Sequence, residues 1–262
     1  MANNETNFQF DTSLISKYRS NSQKIRVMSE NWFHSNMYCP NCGSYKIIHL
    51  TNNAPVADFQ CCECGSIYEL KSKNGELGNK IPDGAYSTMI NRITSYSNPD
   101  LFILQYTNNY TVTAITLIPK YFFIPDIIEK RNPLPSTAKR SGWVGYNILY
   151  GNIPDQGKIS IVRESRFTDI GLVIDHYNRI KNLEIHSLEA RGWLIDILQC
   201  VNRINTQFFE LKDVYDFADE LAEKYSNNKN IKPKIRQQLQ LLRDRGFIEF
   251  LGNGHYKKIV YT

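Results

Sequence analysis

The stretch at residues 55–73, PVADFQCCECGSIYELKSK, carries a cysteine knuckle between two acidic positions. An earlier knuckle, CPNC at residues 39–42, is separated from the CCEC at residues 61–64 by residues 43–60. A tetrahedral zinc ion takes four soft ligands, and each CxxC turn presents two thiolates from one small loop. Because this spacing is typical of zinc ribbons, the sequence predicts a structural zinc site made of Cys39, Cys42, Cys61 and Cys64.

The residues around the two knuckles fit the same prediction. Gly43 and Gly65 follow the cysteine pairs, where a residue without a side chain eases a sharp turn. Cys62 would have to point away from the metal, and we treat it as a spare cysteine. Buried free cysteines or a redox pair are the alternatives, and two matched pairs disfavour both. A closed four-cysteine site has no open position for a substrate, so we expect the chemistry to lie elsewhere.

The acidic residues on either side of the second knuckle indicate where that chemistry lies. Asp58 is followed, after residues 59–68, by Glu69-Leu70-Lys71, a pattern typical of the PD-(D/E)xK nuclease core. Alternate side chains of a strand share a face, so Glu69 and Lys71 project together while Leu70 points into the core. A neighbouring strand would bring Asp58 alongside them. The pattern predicts a Mg²⁺ site formed by Asp58, Glu69 and the Leu70 carbonyl, with Lys71 beside the attacking water.

Taken alone, this acidic pattern is weak evidence. Glu-x-Lys occurs by chance in most chains of this length, usually on a solvated strand or helix face. The position of the zinc knuckle inside the interval from Asp58 to Glu69 strengthens the prediction, because the ribbon would brace the two strands that carry the metal ligands. Lys73 continues the same face and is a candidate phosphate contact. We therefore predict catalysis by Asp58, Glu69 and Lys71.

Periodicity up to about residue 180 predicts an α/β domain around this stretch. Helices are expected over residues 14–34 and 83–93, the second with Asp83 as its N-cap. Strands are expected over residues 101–106 and 111–118, joined as a hairpin at Asn108-Asn109, and over residues 158–162. We place the end of this domain near residues 181–187, which gives a catalytic domain over residues 1–184.

The remaining residues, 185–262, have the pattern of a winged helix, with three helices followed by a β-hairpin. The helices are predicted over residues 187–204, 211–225 and 233–245, and the strands over residues 247–251 and 255–260. The fold class predicted for the whole chain is thus an α/β PD-(D/E)xK core with an embedded zinc ribbon, plus a smaller α+β winged-helix domain.

The third helix of this domain and its hairpin are basic. Residues 229–258 contain eight Lys or Arg residues against two acidic ones. Ile235, Leu239 and Leu242 form an apolar stripe, which leaves Lys234, Gln237 and Gln238 outward for the major groove. The DNA-binding residues predicted here are Lys232, Lys234, Arg236, Gln237 and Gln238 on the helix and His255 and Lys257 on the hairpin. A solvated helix face or a protein-binding module is the alternative.

A second candidate DNA-reading element is the basic loop Lys139-Arg140-Ser-Gly-Trp143-Val-Gly. A tryptophan flanked by glycines in a basic loop can contact or wedge against bases. The alternative interpretation is that Trp143 anchors the core, as tryptophans often do. The loop lies within the predicted catalytic domain, so both domains are candidates for reading DNA.

Composition sets the wider limits. The chain has 262 residues and a formal net charge of +5, a mild basic excess that permits a polyanionic partner without proving one. The polar N-terminus lacks the apolar stretch of a signal peptide, and no run approaches the length of a membrane span. We therefore expect a soluble, cytoplasmic protein that does not associate with membranes.

With these residues assembled, the chain resembles the DpnI-like methyl-directed restriction endonucleases. The resemblance covers almost the whole chain and keeps both domains in order, but residues 150–186 match less clearly and Cys62 looks like an added cysteine. It rests on these motifs: SNSQK at 20–24, the CPNCG knuckle, PVADF with the second knuckle, ELKSK at 69–73, DGAY at 83–86, the loop at 137–143, ARGW at 190–193 and KIRQQLQLLRDRGFIEF at 234–250.

The resemblance implies a function that composition and periodicity do not. It implies Mg²⁺-dependent, blunt cleavage of double-stranded DNA at GATC sites that contain N6-methyladenine, with both domains able to read the methylated site. It places catalysis on Asp58, Glu69 and Lys71. We expect a monomer in solution. The rival hypothesis is a zinc-ribbon winged-helix regulator that binds DNA without cutting, and the Asp58 and Glu-x-Lys pattern favours the nuclease. An RNA-binding protein is disfavoured by the absence of aromatic RNP motifs.

Overall fold

A computed structural model of the chain describes residues 7–50, 57–95, 97–181 and 187–259. Three of the features predicted from the sequence lie outside the described residues: the Pro55-Val56 start of the 55–73 stretch, the division between domains at residues 184 and 185, and the last residue of the final predicted strand, Val260.

The largest sheet has seven strands within these ranges, in the order β1-β2-β3-β5-β6-β9-β10. Of their pairings, β3 with β5 is parallel and the others are antiparallel. The strands are β1 (Ile47–His49), β2 (Phe59–Cys61), β3 (Ile67–Asn74), β5 (Asp100–Tyr106), β6 (Val112–Ile118), β9 (Ile159–Arg163) and β10 (Arg166–Phe167). The predicted hairpin of β5 and β6 is confirmed. Residues 101–104 of β5 are all buried, because a central strand is covered on both faces.

Two helices cover one face of this sheet. Helix α1 (Asn21–Asn36) places Phe33 between the rings of Phe59 and Phe102, at centroid distances of 4.6 and 4.8 Å. Helix α3 (Ile170–Lys181) donates the Tyr177 hydroxyl to the buried Asp100 carboxylate at 2.6 Å. Since side chains alternate along a strand, the residues of β3 that are even-numbered, including Leu70, face these helices. The odd-numbered ones face the other side.

A smaller sheet and helix α2 lie on the side of the odd-numbered β3 residues. The sheet consists, in the described part of the chain, of β4 (Ile81–Ala85), β8 (Gly145–Ile148) and β7 (Ile128–Lys130), in that order. Helix α2 (Tyr86–Thr94) follows β4 directly, and Ala85 is its N-cap. The prediction that Asp83 caps this helix is therefore wrong. Asp83 pairs with Tyr146 in a strand, because contacts with the distant β8 extend the backbone there.

The first predicted helix also begins later than expected. Residues Thr12–Ile15 form a separate 3₁₀ turn whose N-cap, Asp11, accepts a hydrogen bond from the Ser13 amide at 2.9 Å. Ser20 then caps α1. Met28 and Trp32 of α1 are buried, whereas Tyr18 precedes the helix and is 37% exposed. Asp11 and Ser20 are the N-cap residues of two separate elements, so one long helix does not form.

The C-terminal residues form three helical segments and a hairpin, as predicted for a winged helix, with two differences. The predicted second helix is divided in two at Asp216 and Phe217, and an additional strand precedes it. The elements are α4 (Leu188–Arg203), β11 (Phe208–Glu210), α5 (Leu211–Tyr215), α6 (Ala218–Lys224), α7 (Ile231–Asp244), β12 (Ile248–Gly252) and β13 (His255–Lys258). Strand β11 pairs with β13, a long-range contact that local periodicity does not reveal.

Helix α4 joins this unit to the sheet. Leu194, Ile195 and Leu198 of α4 lie against Tyr121 and Phe122, and the buried side chains of both parts form one continuous core. The Lys224 ammonium bridges Asp126 at 2.6 Å and Asp196 at 2.7 Å. Among the helices that the structure describes, none combines the length and the apolar character needed to cross a lipid bilayer.

Candidate active site and metal centre

The four predicted zinc ligands converge at one edge of the large sheet. The sulfur atoms of Cys39, Cys42, Cys61 and Cys64 all lie within 4.8 Å of one another. The Sγ atoms of Cys39 and Cys64 are 3.5 Å apart, and those of Cys42 and Cys61 are 3.6 Å apart. Four cysteine sulfurs at such distances suit a tetrahedral zinc ion. The cluster could therefore hold zinc.

The backbone turns sharply after each CxxC pair, as the sequence predicts. Gly43 and Gly65 have φ angles of 76° and 73°, a conformation that favours glycine. Their amides donate to the carbonyls of Cys39 and Cys61 at 2.8 and 3.0 Å, closing each knuckle. Cys62 is exposed and is not one of the four.

The lowered pKa of one of the four thiols favours metal binding, whereas burial raises the pKa of Cys39 and of Cys42. Burial by itself raises the pKa of Cys64, but hydrogen bonding with Ser66 and with the neighbouring thiols outweighs it and lowers the pKa to about 6. The thiolate is the form that binds a metal. At neutral pH this ligand is therefore already in the form that zinc requires.

Strand pairing next to the zinc cluster brings the two predicted carboxylates together. Phe59 is the register partner of Tyr68, and the Asp58 amide donates to the Tyr68 carbonyl at 2.9 Å. One step further along this antiparallel pair, Asp58 stands opposite Glu69, so both side chains lie on the same face. The Asp58 carboxylate also accepts a hydrogen bond from the Leu70 amide at 2.9 Å. Leu70 is half-buried against the core, as predicted.

Glu69 and Lys71 are half-buried and lie among other charged side chains. The Glu69 carboxylate is 3.3 Å from the Arg92 guanidinium and 3.8 Å from the Lys71 ammonium. Burial raises the pKa of Glu69, and the nearby Asp83 carboxylate raises it further, against the opposing effects of Lys71 and Arg92. For Lys71, burial lowers the pKa, but the carboxylates of Asp83 and Glu69 outweigh it and the net direction is upward. Lys71 is therefore a cation at neutral pH.

Two residues of this site, Asp83 and Arg92, were not predicted from the sequence. The Asp83 side chain is 6% exposed and its Oδ1 lies 2.5 Å from the Lys71 ammonium. The sequence feature that could have revealed the position of Asp83 is Gly84. A glycine near an apparent helix start is also typical of a β-bulge in a strand. Arg92 lies on α2, and no nearby feature of the sequence predicts that it belongs to the site. Only the packing of that helix brings it to Glu69.

The arrangement suits a magnesium ion. Asp58 and Glu69 offer hard carboxylate oxygens on one face of adjacent strands, which are the donors that Mg²⁺ takes in proteins. The upward shift in the pKa of Glu69 comes in part from neighbouring carboxylates. A divalent cation would relieve that repulsion. The residues present therefore fit a catalytic Mg²⁺ ion.

A groove of about 500 Å³ runs beside Lys71. The start of α1, including Asn21, Ser22 and Arg26, lines the groove, and so does Pro82 of β4. Arg26 is 54% exposed and paired with Glu30 at 2.6 Å. Lys73, two residues beyond Lys71, is exposed. Lys71, whose side chain is 26% exposed, is thus among the residues that line the groove.

The basic loop at residues 139–145 is held by its own hydrogen bonds. The Trp143 amide donates to the Arg140 carbonyl, and the Arg140 guanidinium lies over the Trp143 ring at 4.7 Å. Trp143 is half-buried, whereas Lys139 and Arg140 are exposed. A methyl group at Gly145 would come within 2.8 Å of the indole, so glycine there makes room for the ring. The loop presents a supported aromatic ring beside the exposed Arg140 guanidinium, and it also carries the exposed Lys139.

Helix α7 exposes most of the predicted DNA-binding side chains. Lys232, Arg236 and Gln237 are exposed, and the ammonium of half-buried Lys234 donates to the Gln237 side chain at 2.9 Å. In the hairpin, His255 is exposed and Lys257 is half-buried. The turn residues Asn253 and Gly254 have positive φ angles of 50° and 80°, as a tight hairpin turn requires.

The prediction that the Gln238 side chain faces outward is wrong. Its side chain is 1% exposed. Gln238 is three residues from Ile235 and four from Leu242, so it falls on the same apolar stripe as the core residues of α7. Its Oε1 atom has no hydrogen-bond partner within residues 7–50, 57–95, 97–181 and 187–259.

Gln238→Met is therefore expected to stabilise the protein. Methionine has a similar volume, and a buried acceptor without a partner costs about 1–3 kcal/mol. We expect the melting temperature to rise by about 2–4 °C, the shift that about 1 kcal/mol produces in a chain of this size. Gln237→Met, the exposed neighbour, is the control and should not stabilise. A lower melting temperature for Gln238→Met would contradict the packing role.

Comparison with known families gives two matches along the chain. Residues 6–186 match the model described as the Dam-replacing family, DpnI, and residues 189–258 match the Dam-replacing HTH domain. The first match contains the four-cysteine cluster, the carboxylates and the basic loop. The second contains α4 to β13 and predicts DNA binding by this unit.

Proposed function

Because the chain belongs to the Dam-replacing family of methylation-dependent, restriction-type DNA-binding and DNA-cleaving proteins, we propose that it is a type II restriction endonuclease. Its substrate is double-stranded DNA with GATC sites that contain N6-methyladenine, and its reaction is Mg²⁺-dependent phosphodiester hydrolysis by a monomer. The observation that carries this proposal is the placement of Asp58 opposite Glu69, with Lys71 two residues further along the same strand face. This placement is the one expected of a PD-(D/E)xK nuclease.

The side chains of the site have different roles in the proposed hydrolysis. Asp58, Glu69 and the Leu70 carbonyl would hold Mg²⁺, which supplies Lewis-acid activation of the scissile phosphate. Lys71, a cation at the edge of the groove, orients the attacking water and offsets negative charge that develops on the phosphate. Arg92 keeps the Glu69 carboxylate aimed at the site through its contact at 3.3 Å. Leu70 and Lys71 line the groove at the start of α1, and the DNA backbone would approach the site there.

The zinc cluster has a structural role in this proposal. Cys61 is the last residue of β2, and the knuckle it begins leads directly into β3. Zinc held by Cys39, Cys42, Cys61 and Cys64 would fix the turn between the strands that carry Asp58 and Glu69. Since all four positions are filled by cysteine, the ion has no place for substrate.

Two elements are proposed to read the DNA. Helix α7 contributes Lys232, Lys234, Arg236 and Gln237 at the major groove, and the hairpin contributes His255 and Lys257 at the backbone. The loop of the catalytic domain contributes Lys139, Arg140 and Trp143. Burying one methyl group is worth only about 0.8 kcal/mol. Strong discrimination therefore requires two separate readings of the site, or a clash in the unmethylated complex.

Trp143→Ala is expected to weaken the discrimination between methylated and unmethylated GATC. Removing the ring removes the apolar surface beside the Arg140 guanidinium, so the cleavage preference should fall by about fourfold, the equivalent of about 0.8 kcal/mol. The measurement compares cleavage rates on duplexes that differ only in the adenine methyl group. Lys139→Gln is the control, because losing a phosphate contact weakens both complexes alike. Full preference in Trp143→Ala would remove this residue from methyl sensing.

A regulator that binds methylated DNA without cutting it is the alternative, supported by the HTH domain alone. A single labelled duplex with one methylated GATC separates the two functions. We expect binding with Ca²⁺ or EDTA and cleavage only after Mg²⁺ is added, because the hydrolysis depends on that ion. Binding of the same affinity in every buffer, with intact DNA after prolonged incubation with Mg²⁺, would support the regulator.

A further inference from the structure

The Lys71 ammonium has its shortest described contact with Asp83 rather than with the metal-ligand candidates. Its distance to Asp83 Oδ1 is 2.5 Å, against 3.8 Å to Glu69 Oε1. Asp83 comes from β4 in the smaller sheet, whereas Lys71 and Glu69 lie on β3 of the large sheet. The contact therefore joins the two sheets at the active site.

Asp83 is itself fixed in place from several directions. Its side chain is 6% exposed, and its cross-strand partner Tyr146 is buried beside it, where burial and the Asp83 carboxylate together raise the pKa of the tyrosine hydroxyl. The register of β4 with β8 shifts between Asp83 and Ala85, which is a β-bulge at Gly84. Bulges re-aim side chains and recur next to active sites. The bulge and the tyrosine together hold the carboxylate towards Lys71.

We propose that Asp83 is a positioning residue for the hydrolysis, which holds the Lys71 ammonium at the edge of the groove independently of the metal. This inference rests on the proposed nuclease function. A Mg²⁺ ion held by Glu69 and Asp58 would offset their negative charge, and the two carboxylates would then attract Lys71 less strongly. Asp83 then remains as the anion that keeps Lys71 in line with the attacking water.

The position of Asp83 also links catalysis to the basic loop. Its register partner Tyr146 follows Gly145, and the space above Gly145 is occupied by the Trp143 ring. The backbone carbonyl of Asp83 borders the same space. A change in the conformation of the loop on contact with DNA would therefore affect the position of Asp83, which holds Lys71.

The test compares Asp83→Ala and Asp83→Asn in the full-length protein. We expect Asp83→Ala to lower the single-turnover cleavage rate with Mg²⁺ by about a hundredfold, the typical cost of a misplaced catalytic group. Affinity for methylated DNA in Ca²⁺ should change little, and the melting temperature should fall no further than in the buried-carboxylate control described below, because Asp83 is a buried ion-pair partner. Asp83→Asn should recover part of the rate, because its amide oxygen still accepts a hydrogen bond from Lys71. In the metal-free protein, an amine-reactive reagent should label Lys71 faster in Asp83→Ala than in the wild type.

Asp100→Asn is the matched control. Asp100 is also a buried carboxylate that accepts from a tyrosine, Tyr177, at 2.6 Å, but it lies on the face of α1 and α3. We expect this variant to lower the melting temperature without a comparable loss of cleavage rate. The proposal is overturned if Asp83→Ala cleaves within about threefold of wild type, or loses rate only as far as it loses stability, as a purely structural role predicts. If the wild-type protein binds DNA but never cleaves it, the proposed nuclease function fails together with the role of Asp83. If the wild type cleaves and Asp83→Ala cleaves equally well, only the role of Asp83 fails.

Discussion

Asp58→Asn is expected to lower the Mg²⁺-dependent cleavage rate by at least about a thousandfold, since losing several kcal/mol of transition-state stabilisation has this effect. In the wild type the Leu70 amide donates a hydrogen bond to the Asp58 carboxylate at 2.9 Å. The side-chain oxygen of asparagine can accept the same hydrogen bond, so the local backbone should be preserved. What is lost is the negative charge opposite Glu69. The measurement is the single-turnover rate on a methylated duplex, with binding followed in Ca²⁺.

Binding is the control for this variant. The candidate DNA-reading residues on α7 and on the loop at 139–143 are unchanged, so affinity for methylated DNA should stay within about twofold of wild type. Glu210→Gln, on the capping box of α5 and outside the active site, provides a second carboxylate variant that should cleave normally. Normal cleavage by Asp58→Asn would rule out the active site described here, and loss of binding would show that the substitution has damaged the fold instead.

Cys39→Ser is expected to release the zinc ion and to destabilise the protein strongly. Binding of a structural zinc contributes about 10–16 kcal/mol in small zinc domains, so the loss of one ligand should cost several kcal/mol here. Cys39 is buried and its sulfur also lies 2.9 Å from the Tyr68 hydroxyl, which ties the cluster to β3. We expect the melting temperature to fall by about 10 °C or more.

The chain offers a matched control for this change. Cys62 is adjacent to the ligand Cys61 but is exposed and lies outside the cluster. Cys62→Ser should therefore retain one zinc ion per chain and an unchanged melting temperature. Zinc is measured with a chromogenic chelator after denaturation. Equal zinc content in both variants, or none in the wild type, would contradict the predicted metal centre.

Local spacing was enough to predict the parts of the site that depend on neighbouring residues. The four-cysteine cluster follows from two CxxC turns, and the glycines after them have the positive φ angles that such sharp turns favour. The shared face of Glu69 and Lys71 follows from the alternation of side chains in a strand. The placement of Asp58 opposite Glu69 needed only the pairing of two strands joined by the knuckle. Their catalytic roles stay predictions.

The parts that were missed depend on contacts between distant segments. Asp83 looked like a helix cap because aspartate favours that position, but pairing with β8 drew it into a strand. Arg92 reaches Glu69 only through the packing of α2. Gln238 looked like a reader because glutamine is polar, yet its helical position places it on the buried face. In each case the residue type suggested one environment and the tertiary fold imposed another.

The most direct test of the central claim uses one plasmid prepared from a host with adenine methylation at GATC and from a host without it. Incubated with the purified protein and Mg²⁺, the methylated plasmid should be cut at its GATC sites and the unmethylated plasmid should stay intact. Two intact plasmids would leave a DNA-binding protein without nuclease activity. Equal cutting of both would contradict the methyl requirement and leave an ordinary nuclease.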